Sequence, residues 1–363
     1  MSADPRAGQP CAPRTDLPGR APSLPGRAGQ VAPDRAGQVA LNAPVRSLKM
    51  LELQIAAGAT EVYLGLLPPA DVPVSFDALP ARRDGEPTHV SSPALLAELV
   101  TAAHTAGLRV HFCADAPVVD PAHTTAWLGH VGQGLAAGAD TVVVGNLAGC
   151  ARLADRDDVT LVAGSPMGVS TVAYAAHLRD AYRVRRVVLP HTLTLAEVAA
   201  FCALDDLEIE TPVQTGAGLD CTRCRLPDTP GIGLGCRAGW TGGQDGDPTG
   251  ESAGGPAGGT AVDLGGFLDG ASDCALCDVP ALVEIGVRAL QIPGRESPNL
   301  RQNAKITQMY RRAVRGHATG TPMPEVIAAI DRVELMWQMG WLPRFCDQQR
   351  CRFRDTPQQR AYV

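Results

Sequence analysis

Short apolar runs alternate with longer amphipathic segments through most of this chain. The runs are Val39–Ala43, Glu61–Gly65, Leu108–Cys113, Thr141–Gly145, Thr160–Ala163, Arg186–Pro190, Leu207–Thr211 and Ala289–Ile292. Between them the pattern predicts helices, several with a polar starter and a glycine stop. Ser47 precedes Leu48–Ala57 and Gly58 follows it; Ser92 precedes Pro93–Ala106 and Gly107 follows; His123–Ala137 ends at Gly138. Further helices are predicted up to Asp155, over Ser170–Asp180, Leu195–Ala203, Pro280–Ile285, Pro298–Arg315 and 322–339. Strands apolar on both faces and separated by helices belong to a parallel sheet covered on both sides. Eight such units predict an α/β fold, a closed (β/α)8 TIM-like barrel. The open doubly wound sheet is the weaker reading, because no Gly-x-Gly-x-x-Gly follows the first strand. In a barrel, ligands bind at the C-terminal ends of the strands.

The rest of the 363 residues divides around that body. Residues 1–36 are rich in Pro, Gly, Ala and Arg and cannot bury enough apolar surface to offset their chain entropy, so a disordered tail is expected. The barrel is assigned to 37–320, with a flexible Gly-rich insertion over 241–270, and a C-terminal helix and basic tail to 321–363. The net charge of −6 is uneven: residues 1–36 carry +2, residues 301–363 carry +6, and the body between carries −14. An acidic body with only 4% aromatic residues does not suit a general nucleic-acid binder or a base-stacking platform. No apolar run reaches membrane-span length and the N-terminus has no apolar signal region, so a cytoplasmic protein is expected.

Five of the eleven cysteines fall between Gly218 and Ile292. Cys221 and Cys224 form one C-x-x-C pair, Cys274 and Cys277 another, and Cys236 lies between. Thiolates two residues apart reach one metal centre from a single turn, and in a reducing compartment such clustering points to ligands rather than disulfides. The long gap and the extra cysteine favour an iron–sulfur cluster; structural zinc is the alternative. Cys346 and Cys351 are read as part of a loose tail. The sequence contains neither a His-Glu-x-x-His helix nor a Gly-x-Ser-x-Gly elbow, so nothing in it supports a zinc or serine peptidase.

The segment Pro280-Ala-Leu-Val-Glu-Ile-Gly-Val-Arg-Ala-Leu-Gln-Ile-Pro-Gly-Arg295, followed by Ser297-Pro298 and Tyr310-Arg-Arg-Ala313, resembles the signature of peptidase family U32. Ala56-Ala-Gly-Ala-Thr-Glu-Val-Tyr-Leu-Gly65 and Val187-Val-Leu-Pro190 with Leu195 and Glu197 are similar to earlier parts of its pattern, so the resemblance spans about residues 38–317. It departs at Pro212, Gln214 and Pro293, where the family has an aromatic residue, a histidine and an acidic residue. The resemblance implies an α/β barrel with a four-cysteine 4Fe–4S site. It also implies oxygen-independent hydroxylation of an aromatic ring or RNA base, with prephenate as oxygen donor in some members. Cys221, Cys224 and Cys236 would be ligands, and Cys274 or Cys277 the fourth. Cysteine- or metal-dependent peptidase activity, or an accessory scaffold subunit paired with a related family member as a heterodimer, are the alternative functions.

Four residues are the candidates for chemistry, each at a predicted strand end or just after one. Arg295 is placed to clamp a carboxylate such as prephenate's. Glu210 is placed to orient Arg295 or substrate, His191 to transfer protons, and Tyr63 to donate a hydrogen bond into the cavity. His111 and Cys113 alternate on one strand and are read as core; Asn146, Ser165 and Ser170 are read as polar lining.

Overall fold

The computed structural model describes residues 39–69, 71–72, 76–77, 88–214, 240–242, 262–265, 274–295, 297, 299–333 and 351–353. The predicted tail over 1–36, Cys221, Cys224, Cys236 and Cys346 lie outside the described residues.

The strands β1 (Ala40–Pro44), β2 (Glu61–Gly65), β3 (Arg109–Ala114), β4 (Thr141–Val144), β5 (Leu161–Ala163), β6 (Val184–Val188) and β7 (Glu208–Pro212) pair in parallel, each with the next. Between them run α1 (Leu48–Ala57), α2 (Pro93–Thr105), α3 (Thr124–Ala136), α4 (Leu147–Leu153), α5 (Val172–Tyr182) and α6 (Leu195–Cys202). After β7 come two short strands, β8 (Trp240–Gly242) and β9 (Val262–Gly265), then α7 (Val279–Glu284) and β10 (Ala289–Gln291). β10 inserts between β7 and β1 and closes the eight-stranded barrel. α8 (Leu300–Ala318) and α9 (Met323–Val333) complete the described chain, apart from Cys351–Phe353.

Local chemistry sets the element ends. The Ser47 and Ser92 side chains accept hydrogen bonds from Met50 N and Leu95 N, satisfying amides that open α1 and α2. Thr194 and Glu197 form a reciprocal capping box on α6. Gly58 closes α1 at φ 89°, a conformation that costs glycine little. Outward side chains such as Leu64, Phe112, Val142 and Val144 pack with helix residues including Leu99, Trp127 and Val131 in the main core. Phe112 lies against Gly134 of α3, where any Cβ would enter its ring.

Among the differences from the sequence expectation are the ends of α5 and two segments. α5 starts at Val172 because Thr171, not Ser170, caps it, and it stops at Arg183, which takes the left-handed conformation (φ 58°) without a glycine to announce it. β6 therefore begins at Val184. Within the Gly-rich stretch expected to be a flexible insertion, β8 and β9 pair antiparallel. Cys351, read as part of a loose tail, instead forms a parallel backbone bridge with Cys274, and Arg352 N donates to Cys274 O at 3.1 Å. Arg352 is buried, and its Nη2 donates to Pro190 O at 3.4 Å. A backbone that pairs with a neighbouring segment satisfies its polar groups there, which composition does not reveal.

Candidate functional site

Alternation along each strand sends every second side chain into the barrel, and these stack in layers. The deepest layer is charged. Arg186 of β6 is its hub: Nη1 and Nη2 donate to Glu61 at 2.5 and 3.0 Å, Nη1 to Glu210 at 3.0 Å, and Nε to Glu208 at 2.8 Å. Glu210 also accepts from Asn42 Nδ2 at 2.8 Å. His111 bridges Glu61 (3.0 Å) and Thr141 (2.7 Å). Burial alone would raise the Glu61 pKa, but the Arg186 charge and His111 pull it well below its ordinary value. Burial likewise opposes the Arg186 charge, and the carboxylates more than offset it, holding its pKa well above the usual range.

Above this floor lies a ring of Tyr63, Cys113, Val143, Val162 and Val188. Over the ring, at the C-terminal strand ends, a cavity of about 50 Å³ opens, enough for a few waters. Asp115, Gly164, Ser165, Gln291 and Arg295 line its upper wall, and Asn42, His111 and Glu210 reach it from below. Arg295 is buried there and donates from both Nη atoms to Asp77 at 2.6 Å each. Burial disfavours its charge; Asp77 overcomes that and raises its pKa well above the ordinary value. Its Nε has no hydrogen-bond partner among the described residues. The guanidinium carbon stands 5.5 Å from the Tyr63 ring centroid, within cation–π reach. Arg46 fixes the Arg295 backbone by donating to the carbonyls of Arg295 (2.5 Å) and Ser297 (2.8 Å). Burial pushes the Cys113 thiol pKa well above its ordinary value.

The four candidates fare differently. Arg295, Glu210 and Tyr63 all line the cavity, Arg295 with Asp77 as its partner and Glu210 with Arg186 and Asn42. Tyr63 Oη donates to Ile292 O at 3.0 Å, at the exit of β10. His191 is half-buried in the turn after Pro190 and is not among the cavity's lining residues. Ser165 lines the cavity, whereas Asn146 caps α4 and donates to Ala116 O at 2.9 Å. Sequence reasoning did not single out Asp77, Asp115, Glu61 or Arg186. Glu61 and Arg186 open two of the runs read as strands, and a charge inside an apolar strand is the signal that finds them.

Cys274 and Cys277 follow the insertion and precede α7. Cys274 pairs with Gln214 just beyond β7, and Ala275 N donates to Val213 O at 3.0 Å. The Cys274 sulfur accepts the Leu276 N–H at 3.3 Å and lies 3.8 Å from Tyr310 Oη. Tyr310, buried on α8, also bonds Val213 O and, at 3.2 Å, Gln214 Oε1.

The sequence profile of peptidase family U32 matches residues 46–221, from Arg46 to the first cysteine of the window. The Pro280–Arg295 segment that resembles the family's signature lies beyond the match. Among solved structures, the U32 peptidase Mk0906 is 14% identical, with a TM-score of 0.45, and the match covers 74% of this chain and 98% of that one. A tryptophan synthase chain from M. tuberculosis is 12% identical, covering 77% of this chain and 94% of that one at a TM-score of 0.41. No curated protein matches. Over residues 46–221 the chain is similar to peptidase family U32.

Proposed function

We propose that the chain is an iron–sulfur protein in which the cysteines between β7 and β10 hold a 4Fe–4S cluster, and that it serves oxygen-independent hydroxylation of an aromatic ring, small or RNA-borne. The observation that carries this reading is the environment of the Cys274 sulfur. It accepts the amide of the residue two positions on and lies within reach of a buried tyrosine hydroxyl. The Leu276 amide aimed at the sulfur favours its anionic, metal-ligating form and would tune a cluster's potential. Cys274 fits a ligand position on that ground, with Cys277 following it and Cys221, Cys224 and Cys236 as the further thiolates. A bound cluster supplies single electrons. The chain's own residues bind and orient: Arg295, with Asp77 behind it, presents its Nε toward a carboxylate such as prephenate's, and Tyr63 and Ser165 line the cavity where a ring would enter.

Anaerobic purification followed by iron, sulfide and zinc analysis tests the reading. The expected result is a brown protein with about four irons per chain, with the iron lost in Cys274→Ala and kept in Cys11→Ala. A colourless protein with one zinc at these cysteines sinks the hydroxylation proposal and leaves the accessory scaffold.

A further inference from the structure

We infer that the barrel mouth carries a second metal site, for a single divalent ion of the zinc class, built from Asp77, Cys113 and Asp115, with His89 beside Asp77. One ligand atom each from Asp77, Cys113 and Asp115 lie within 4.8 Å of one another, and all three residues are buried. Metal bonds of about 2.0–2.3 Å are within reach of such a set after small side-chain rotations. The independent observation is His89. It is 93% buried, since its relative exposure is 7%, and neither ring nitrogen has a hydrogen-bond partner. Its Nε2 points at the same carboxylate, 3.8 Å from Asp77 Oδ2. Buried polar atoms without a partner are uncommon and call for an explanation; an ion accepting the Nε2 lone pair supplies one.

The surroundings suit an ion. Arg295 holds the Asp77 carboxylate through both Nη atoms at 2.6 Å. It acts as the orienting partner that ligating carboxylates commonly have. Two glycines make room, for a Cβ at Gly65 would overlap Asp77 Oδ2 and stand 2.9 Å from Arg295 Nη1, and one at Gly164 would stand 3.2 Å from Asp115 Oδ2. Mixed thiolate, imidazole and carboxylate ligation selects zinc, cobalt or ferrous iron over magnesium or calcium. Cys113 and Asp115 also line the cavity, so an open coordination position faces it. On binding, the Cys113 sulfur gives a lone pair to the ion as its S–H proton leaves to solvent, and no oxidation state changes.

None of the cysteines assigned to the cluster takes part, so the two proposals fail separately. The test uses the full-length chain purified anaerobically. Zinc is counted by mass spectrometry and exchanged for Co²⁺, and the thiolate-to-cobalt charge-transfer band is read by difference. The expected result is about one ion per chain at this site, with the band lost in Cys113→Ala and retained in Cys274→Ala; Asp115→Asn and His89→Gln should each weaken binding at least about tenfold. Thermal melts establish that each variant folds, and the near-isosteric Cys113→Ser serves if the alanine does not. A band that survives in Cys113→Ala or Cys113→Ser overturns the proposal. So does Co²⁺ affinity unchanged in Asp115→Asn and His89→Gln, or no bound ion at all.

Discussion

Arg186 shows how one residue organises the barrel interior. Three carboxylates converge on its guanidinium, and Glu61 and Glu210 have almost no access to water. Removing the cation leaves buried negative charge unpaired, so Arg186→Met should destabilise the fold by about 3–5 kcal/mol at neutral pH. Glu61 gives the pH signature. Its folded pKa sits well below the ordinary 4.5, so its contribution is complete above that value and is lost as the pH falls through the lower folded value. In Arg186→Met the depressing charge is gone, and acidification should recover stability relative to wild type. Urea unfolding of both proteins at about pH 7 and about pH 4.5 measures this; a constant difference would show that Arg186 contributes packing and not charge. Gly65 is a second residue whose identity geometry dictates. An added Cβ would collide with the Asp77 carboxylate, which Arg295 holds in place. Gly65→Ala should therefore cost about 1–3 kcal/mol, the usual penalty for overpacking, read as a lowered urea midpoint.

At the scale of elements, the capped helices were the legible part. Ser47 and Ser92 act where the sequence places a cap, and each barrel strand falls within a few residues of a predicted run. Thr194→Ala removes one half of an exposed reciprocal cap and should lower stability by about 1 kcal/mol without touching the cavity. Thermal melting checks it, and a loss several times larger would mean that α6 supports more than its own end. What the sequence hid was pairing between distant segments. Asp77 meets Arg295 across 218 positions, and Gln54 of α1 donates to Asn303 of α8 across 249. No local period encodes such contacts. Asn303 also donates to Pro293 O at 3.0 Å, beside the Gly294 turn that delivers Arg295. Asn303→Leu leaves both the Gln54 amide and that carbonyl without their partner. A cost of about 1–3 kcal/mol is expected, with a weaker hold on whatever Arg295 contacts. The approach of Cys351 to Cys274 was not legible either, because it joins segments far apart in the chain.

For the molecule as a whole, the Glu61 carboxylate beside Arg186 and the histidine in the apolar shell titrate in different ranges, and this separates them experimentally. Among the described residues no helix is long and apolar enough to cross a membrane. His130 lies in the shell between β3 and α3, its ring centroid 5.2 Å from Phe76 and 5.1 Å from Phe112. Burial among these rings lowers its pKa from 6.5 to about 4. Between those values the unfolded chain takes up a proton that the folded chain refuses. The contribution is therefore complete above 6.5 and is lost progressively as the pH falls toward 4. At 1.36 kcal/mol per unit the loss is about 3 kcal/mol. His89, whose pKa burial also lowers, adds to the same range, whereas Glu61 acts only below it. Replacing the imidazole with an apolar side chain removes the titration, so His130→Leu should flatten the stability profile between about pH 6.5 and 4.5 while leaving the steeper acid loss below. Urea midpoints at half-unit pH steps decide the matter. A profile that keeps its full slope in His130→Leu would place the acid sensitivity at the barrel mouth, with His89, and make stability near pH 5.5 a readout of that site.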